Sequence, residues 1–200
     1  MPDIVYLPGA GGTATFWKPV AIRLADLGRE VRLGWPGFAD EPADHAIRSV
    51  RDLAGWTLAR MPSGPCDLVA QSMGGVVATA IAIEHPERVR RLVLCVTSGG
   101  VDVAALGAAD WRPEYRAELP RAPDWFVVDR TDHTARLPSV RAPTLVIYGD
   151  ADPLCPEAVA RFLAERIPGA ALTRIRGGDH MLARDRADEV APLIRAHLTR

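Results

Sequence analysis

Lysine is nearly missing from this 200-residue chain: Lys18 is the only one among 24 basic side chains. That scarcity excludes several chemistries. A phosphate-binding G-x-x-x-x-G-K-[ST] loop cannot be written, nor a Tyr-x-x-x-Lys pair, and no lysine is placed for Schiff-base catalysis. Cysteine is scarce too. Cys66, Cys95 and Cys155 are odd in number, widely spaced and without a C-x-x-C. The pattern argues against a disulfide framework or a thiolate zinc site and predicts a reducing, cytoplasmic setting. Charge of one sign is lacking as well, with 25 acidic side chains and a net charge of −1. Such a balance supplies no general attraction for nucleic acid or for an anionic membrane. No window reaches the ~18 apolar residues of a membrane span, and the acidic start Met1-Pro2-Asp3-Ile4 does not read as a signal peptide.

What is present is a chain that is 48% hydrophobic and long enough for one domain, residues 1–200. A domain of that size buries roughly 70% of the surface its unfolded chain exposes, so no staple is required. Short apolar runs alternate with segments of helical period. Strands are expected at Ile4–Leu7, Glu30–Gly34, Cys66–Ala70, Arg91–Val96, Thr144–Tyr148 and Leu172–Arg176. Helices are expected over Thr15–Leu27 with Gly28 as its cap, over Asp44–Met61, from Ser72 to near Pro86, over Pro156–Ile167 and over Ala187–Leu198. The rhythm predicts an α/β fold of about six mostly parallel strands flanked by helices. It stops between residues 98 and 142, where Pro113, Pro120, Pro123 and Pro138 mingle with Trp111, Tyr115, Trp125 and Phe126. A stretch of that length inside a compact domain predicts a lid.

Four segments carry chemistry. Ala70-Gln71-Ser72-Met73-Gly74 joins a strand to a helix, with small residues two before and two after the serine. That is the requirement of a nucleophile elbow, although an ordinary helix-capping serine would share the position. Gly149-Asp150-Ala151-Asp152-Pro153 and Gly177-Gly178-Asp179-His180-Met181 each follow a strand. In an open parallel sheet the three turns share the carboxyl edge, which gathers Ser72, Asp150 or Asp152, and His180. A serine hydroxyl is a weak nucleophile until an imidazole takes its proton, and the imidazole needs a carboxylate to set its tautomer. His45, His85, His133 and His197 lie in a loop, a helix end, the lid and the terminal helix, and read as structural. The fourth segment, Pro8-Gly9-Ala10-Gly11-Gly12, follows the first strand and can aim the backbone N–H groups of Ala10 and Met73 at an oxyanion. Gly9-x-Gly11-x-x-Ala14 also matches a dinucleotide fingerprint, but Gly34-Trp35-Pro36-Gly37 stands where that site needs an acidic residue.

With these motifs in hand, the chain resembles the α/β-hydrolase superfamily over nearly its whole length. Leu7–Gly12 with Trp17 resembles its oxyanion segment, Trp35-Pro36-Gly37-Phe38 the turn after its next strand, and Val69–Gly75 its nucleophile elbow. His85-Pro86-Glu87-Arg88-Val89 resembles the end of the following helix. Gly149-x-x-Asp152-x-x-x-Pro156 resembles its acid turn, favouring Asp152 over Asp150, and Gly178-x-His180 its histidine loop. Pro8, Gln71 and Gly34 depart from the histidines and aspartate common at those positions. The Gly9–Ala14 stretch is similar to type II thioesterases, while the rest looks like generic esterases. A serine nucleophile separates the chain from relatives of the fold that use aspartate.

The resemblance implies a serine hydrolase of small carboxylic esters, with Ser72 as nucleophile, His180 as base and acid, and Asp152 orienting His180. Ala10 and Met73 would hold the oxyanion, and Trp111, Trp125, Phe126, Leu154 and Met181 would line an apolar acyl pocket. The aromatics read equally well as the lid's own core. An acyl thioesterase with the same triad and a non-hydrolytic binding or signalling protein on the same fold are the alternatives. No cofactor or metal is called for. With the oxyanion loop already on the first strand and about 45 residues left for a lid, the expected fold lacks the superfamily's first two strands and has a shallow pocket.

Overall fold

The computed structural model describes residues 1–120 and 122–200. Six strands form one sheet: β1 (Ile4–Leu7), β2 (Glu30–Arg32), β3 (Cys66–Gln71), β4 (Val89–Cys95), β5 (Thr144–Gly149) and β6 (Ala171–Ile175). Their order is β2-β1-β3-β4-β5-β6 and every pairing is parallel. Central strands of such a sheet are covered on both faces, which is why β1, β3 and β5 are buried throughout. Alternation divides the central strands between two cores. Val5, Leu7, Leu68, Ala70, Leu92, Leu94 and Val146 face one layer, and Ile4, Tyr6, Val69, Val93, Leu145 and Ile147 the other.

The first layer holds α2 (Val50–Leu58), α3 (Met73–Glu84) and α6 (Glu157–Arg166). The second holds α1 (Lys18–Arg23), α7 (Leu182–Asp185) and α8 (Ala187–Leu198). Between β4 and β5 the chain forms α4 (Arg112–Glu118), α5 (Trp125–Val128) and two 3₁₀ turns. Among the described residues no helix is long and apolar enough to cross a membrane.

Several boundaries differ from the periodicity. The helix expected over Thr15–Leu27 is regular only over Lys18–Arg23, because its flanks are successive i→i+3 turns. Trp17, Val20 and Leu24 are still buried on one stripe. Gly28 therefore caps no helix. It is needed because a Cβ there would lie 2.0 Å from the Pro2 carbonyl oxygen. The helix expected from Asp44 begins at Val50, where Ser49 Oγ accepts the Asp52 N–H at 3.1 Å and Asp52 accepts the Arg48 N–H at 3.0 Å. Pro156 is the N-cap of α6 rather than its first residue. The α7 turn, too short for periodicity to show, was not expected.

Candidate active site

Strand β1 leads to β2 on one side and β3 lies on its other side, so the sheet changes direction between β1 and β3. Crevices at such points, outside the carboxyl ends of the strands, are where open α/β sheets bind ligands. The glycine-rich loop leaves β1 there and Ser72 leaves β3. Ser72 adopts φ +51° and ψ −121°, a conformation that L residues avoid, and turns directly into α3. The crowding dictates the neighbours. A Cβ at Gly74 would lie 2.5 Å from the Pro8 oxygen and 2.6 Å from the Leu7 oxygen, and a Cβ at Gly9 would lie 3.1 Å from Ser72 Cβ.

The turns after β5 and β6 bring the remaining side chains to Ser72. His180 Nε2 is 2.9 Å from Ser72 Oγ, and His180 Nδ1 is 2.8 Å from Asp152 Oδ2. The Asp152 side chain is wholly buried, and its Oδ1 also accepts the N–H groups of Leu154 at 2.8 Å and Cys155 at 3.2 Å. With the carboxylate so oriented, Nδ1 carries the proton and Nε2 is free to accept from the serine hydroxyl. A hydroxyl bonded in this way can lose its proton as it attacks a carbonyl carbon.

Asp150 is used differently. Its Oδ1 accepts the Gly177 N–H at 2.5 Å, tying the β5 turn to the β6 turn at the surface. Asp179 is exposed and accepts the Met181 N–H at 2.9 Å, away from the ring. His45 is exposed, His85 half-buried, and His133 and His197 are buried elsewhere.

Asp152, Cys155 and His180 offer potential metal-ligating atoms within 4.8 Å of one another. The donor set does not suit an ion. Three N–H groups already occupy the carboxylate, and burial pushes the Cys155 thiol far above its usual range, so it stays protonated. Burial also raises Cys95, and pushes Cys66 up to about 12, so these thiols too stay protonated.

Among the described residues, neither the Ala10 nor the Met73 N–H donates in a turn, cap or side-chain hydrogen bond. The loop that carries Ala10 is held from behind by two tryptophans. Trp17 Nε1 donates to the Leu7 oxygen and Trp35 Nε1 to the Pro8 oxygen, both at 2.9 Å. Gln71, directly before the serine, donates from Nε2 to the His180 carbonyl at 3.1 Å. Trp17 and Trp35 stand in segments that the sequence marks, but which carbonyl each indole N–H meets has no local signal beyond the need of a buried N–H for a partner.

Trp111, Trp125 and Phe126 lie together. Trp111 stacks on Phe126 at 4.8 Å, and Phe38 meets both Trp125 and Phe126 edge-on. Phe38 in turn abuts Gly12 of the glycine-rich loop. Leu154 and Met181, the neighbours of Asp152 and His180, are half-buried. A surface cavity of about 590 Å³, lined by residues such as Glu41, His45, Trp56 and Arg60, lies on the β2–α2 connection and does not contain Ser72.

Fold and site together define the class. Residues 2–132 match the family model described as alpha/beta hydrolase fold, and the chain belongs to that family. It is 29% identical over 248 residues to a pimeloyl-[acyl-carrier protein] methyl ester esterase of Aromatoleum aromaticum, covering 96% of each. It is 26% identical to the polyketide synthase ThaQ of Burkholderia thailandensis, over 98% of this chain and 12% of the synthase. The enol-lactonase of Burkholderia xenovorans LB400 shares the fold at a TM-score of 0.83 and 22% identity, over 100% of this chain and 92% of that one. The chain spans less than half the length of several curated relatives that it matches.

Proposed function

We propose that the protein is a serine hydrolase that cleaves small carboxylic esters through an acyl-enzyme. The observation that carries this reading is the aligned chain of hydrogen bonds from Ser72 through His180 to Asp152. Ser72 Oγ attacks the ester carbon while its proton passes to His180 Nε2 and the carbonyl π pair moves onto oxygen. The N–H groups of Ala10 and Met73 receive that charge. Collapse of the intermediate breaks the ester C–O bond, and His180 returns the proton to the leaving alkoxide. Water then repeats the sequence on the acyl group, which regenerates Ser72 and releases the acid. Residues 98–142 serve as a lid, with their aromatic cluster one layer above the glycine-rich loop.

A fluorophosphonate probe is expected to label Ser72, and wild-type protein to hydrolyse members of an ester panel that Ser72→Ala leaves untouched. Folded protein that takes no label at high probe concentration overturns the proposal. A thioester on an acyl carrier is the second reading, favoured by the similarity to a polyketide synthase, whereas the relative named as a pimeloyl-[acyl-carrier protein] methyl ester esterase supports the ester reading. Comparing kcat/KM on matched ester and thioester pairs decides between them.

A further inference from the structure

One buried side chain touches the elbow from below and has no part in the proton relay. Thr97 follows β4 and is only 4% exposed. Its Oγ1 donates to the Ser72 carbonyl oxygen at 2.5 Å and accepts the Gly99 N–H at 3.0 Å. The residue before it, Val96, holds φ +42°, and Val96 N–H donates to the Ile147 oxygen at 2.9 Å. A β-branched residue in that region is strained, and such strain persists only where the surroundings impose it. Here it turns Thr97 out of the strand line and under Ser72.

The Ser72 carbonyl and the Met73 N–H belong to one peptide group, which is planar and trans, so they point in opposite directions. Whatever clamps the carbonyl therefore aims the N–H. The carbonyl is held by two donors, the Thr97 hydroxyl and the Gly75 N–H at 2.9 Å. Hydrogen bonds to a carbonyl also polarise its peptide group and make the N–H on the far side a better donor. The contact thus has two effects on the same atom, direction and strength.

We propose that Thr97 is a positioning residue of the oxyanion site, acting through the Ser72–Met73 peptide group. The inference rests on the serine-hydrolase reading above and names a determinant that the triad does not contain. Preorganised donors matter most where charge develops in the transition state. Loss of the clamp therefore slows turnover and spares substrate binding.

The test uses Thr97→Val, which keeps the shape and removes the hydroxyl, and Thr97→Ser, which keeps the hydroxyl. Each is measured with p-nitrophenyl acetate and with an alkyl boronic acid, whose tetrahedral serine adduct places an oxygen at the oxyanion position. Thr97→Val is expected to lower kcat by about 10- to 100-fold with KM within about 3-fold of wild type. The boronic acid inhibition constant rises by a similar factor, and Thr97→Ser recovers most of both. Unchanged kcat in a folded Thr97→Val overturns the proposal, as does a loss that leaves boronate affinity intact or that Thr97→Ser fails to relieve. Should the valine variant not fold, Thr97→Cys, a much weaker donor of similar size, is read by the same criteria. Wild-type protein inert to both ester and fluorophosphonate overturns the hydrolase reading itself. An active wild type with an indifferent Thr97 overturns only this inference.

Discussion

Ser72 holds a backbone conformation that costs an L residue on the order of 1–3 kcal/mol. Alanine at this position keeps that cost, whereas glycine escapes it and gives back part of the gain as chain entropy. Ser72→Gly is therefore expected to be more stable than Ser72→Ala by about 1 kcal/mol in urea unfolding. Equal stabilities would mean that the elbow is relaxed. The acid is the second residue-scale question. Asp152→Asn removes the partner that sets the His180 tautomer and is expected to lower kcat on the order of 10⁴-fold. Asp150→Asn weakens a surface tie between two turns and is expected to leave kcat within a few-fold. The reverse result in parallel assays would reassign the acid.

These residues differ in how visible they are from the chain alone. Ser72 and His180 are marked by glycine and small neighbours that crowding makes compulsory, so their surroundings can be read locally. The choice between Asp150 and Asp152 needed a family pattern, because both stand in one turn. Side-chain burial and the Leu154 and Cys155 N–H donors separate them in space.

At the scale of elements, α2 has its N-terminus capped from two directions. Ser49 and Asp52 satisfy local donors, and Asp129, from the segment between β4 and β5, accepts the Val50 N–H at 3.0 Å. A carboxylate at a helix N-terminus also meets the positive end of the helix dipole. Asp129→Ala should therefore loosen residues 98–142 from α2. Faster amide exchange in both segments, with the triad turns unchanged, is the expected outcome. Unaltered exchange would show that the aromatic cluster alone holds the segment.

Elements were legible where period and length agreed. The helix from Met73 to Glu84 is almost wholly apolar and ends just before Pro86, while β5 is a nearly continuous apolar run and β4 becomes one from Leu92 onward. The limits of α1 and the start of α2 were not legible, because turns and helices share the same apolar spacing over one or two cycles. The short helices of 98–142 have no period to detect. Their positions follow from Trp111, Tyr115, Trp125 and Phe126 packing on one another and on Phe38.

For the whole molecule, two buried histidines couple the fold to acid. Burial lowers the pKa of His133, with Arg136 adding to the effect and Glu84 and Asp132 opposing it. Burial also lowers His197, whose Nε2 lies 3.1 Å from the Pro143 carbonyl. Between these depressed values and the ordinary 6.5, the unfolded chain binds protons that the folded chain does not. Stability therefore rises with pH through that window and is lost as pH falls below about 6.5. Thermal midpoints measured from pH 7.5 to 5 should decline, and His133→Gln with His197→Gln should flatten the decline. A slope unchanged in the double variant would assign the acid sensitivity to carboxylates.

The sequence by itself determined the alternation of strand and helix, the elbow at Ser72 and the loop turns that carry Asp152 and His180. These are local matters of period, turn chemistry and steric crowding, which neighbouring residues settle among themselves. Only the tertiary structure decided the contact between the buried Asp152 and His180, toward which the turn pattern had pointed, and which carbonyls the indoles of Trp17 and Trp35 hold. It also decided that Thr97 lies beneath the Ser72 peptide. Each of those contacts joins segments from 10 to 28 residues apart. Their geometry depends on strand order, register and the depth to which each side chain is buried, and no short stretch of chain encodes any of the three.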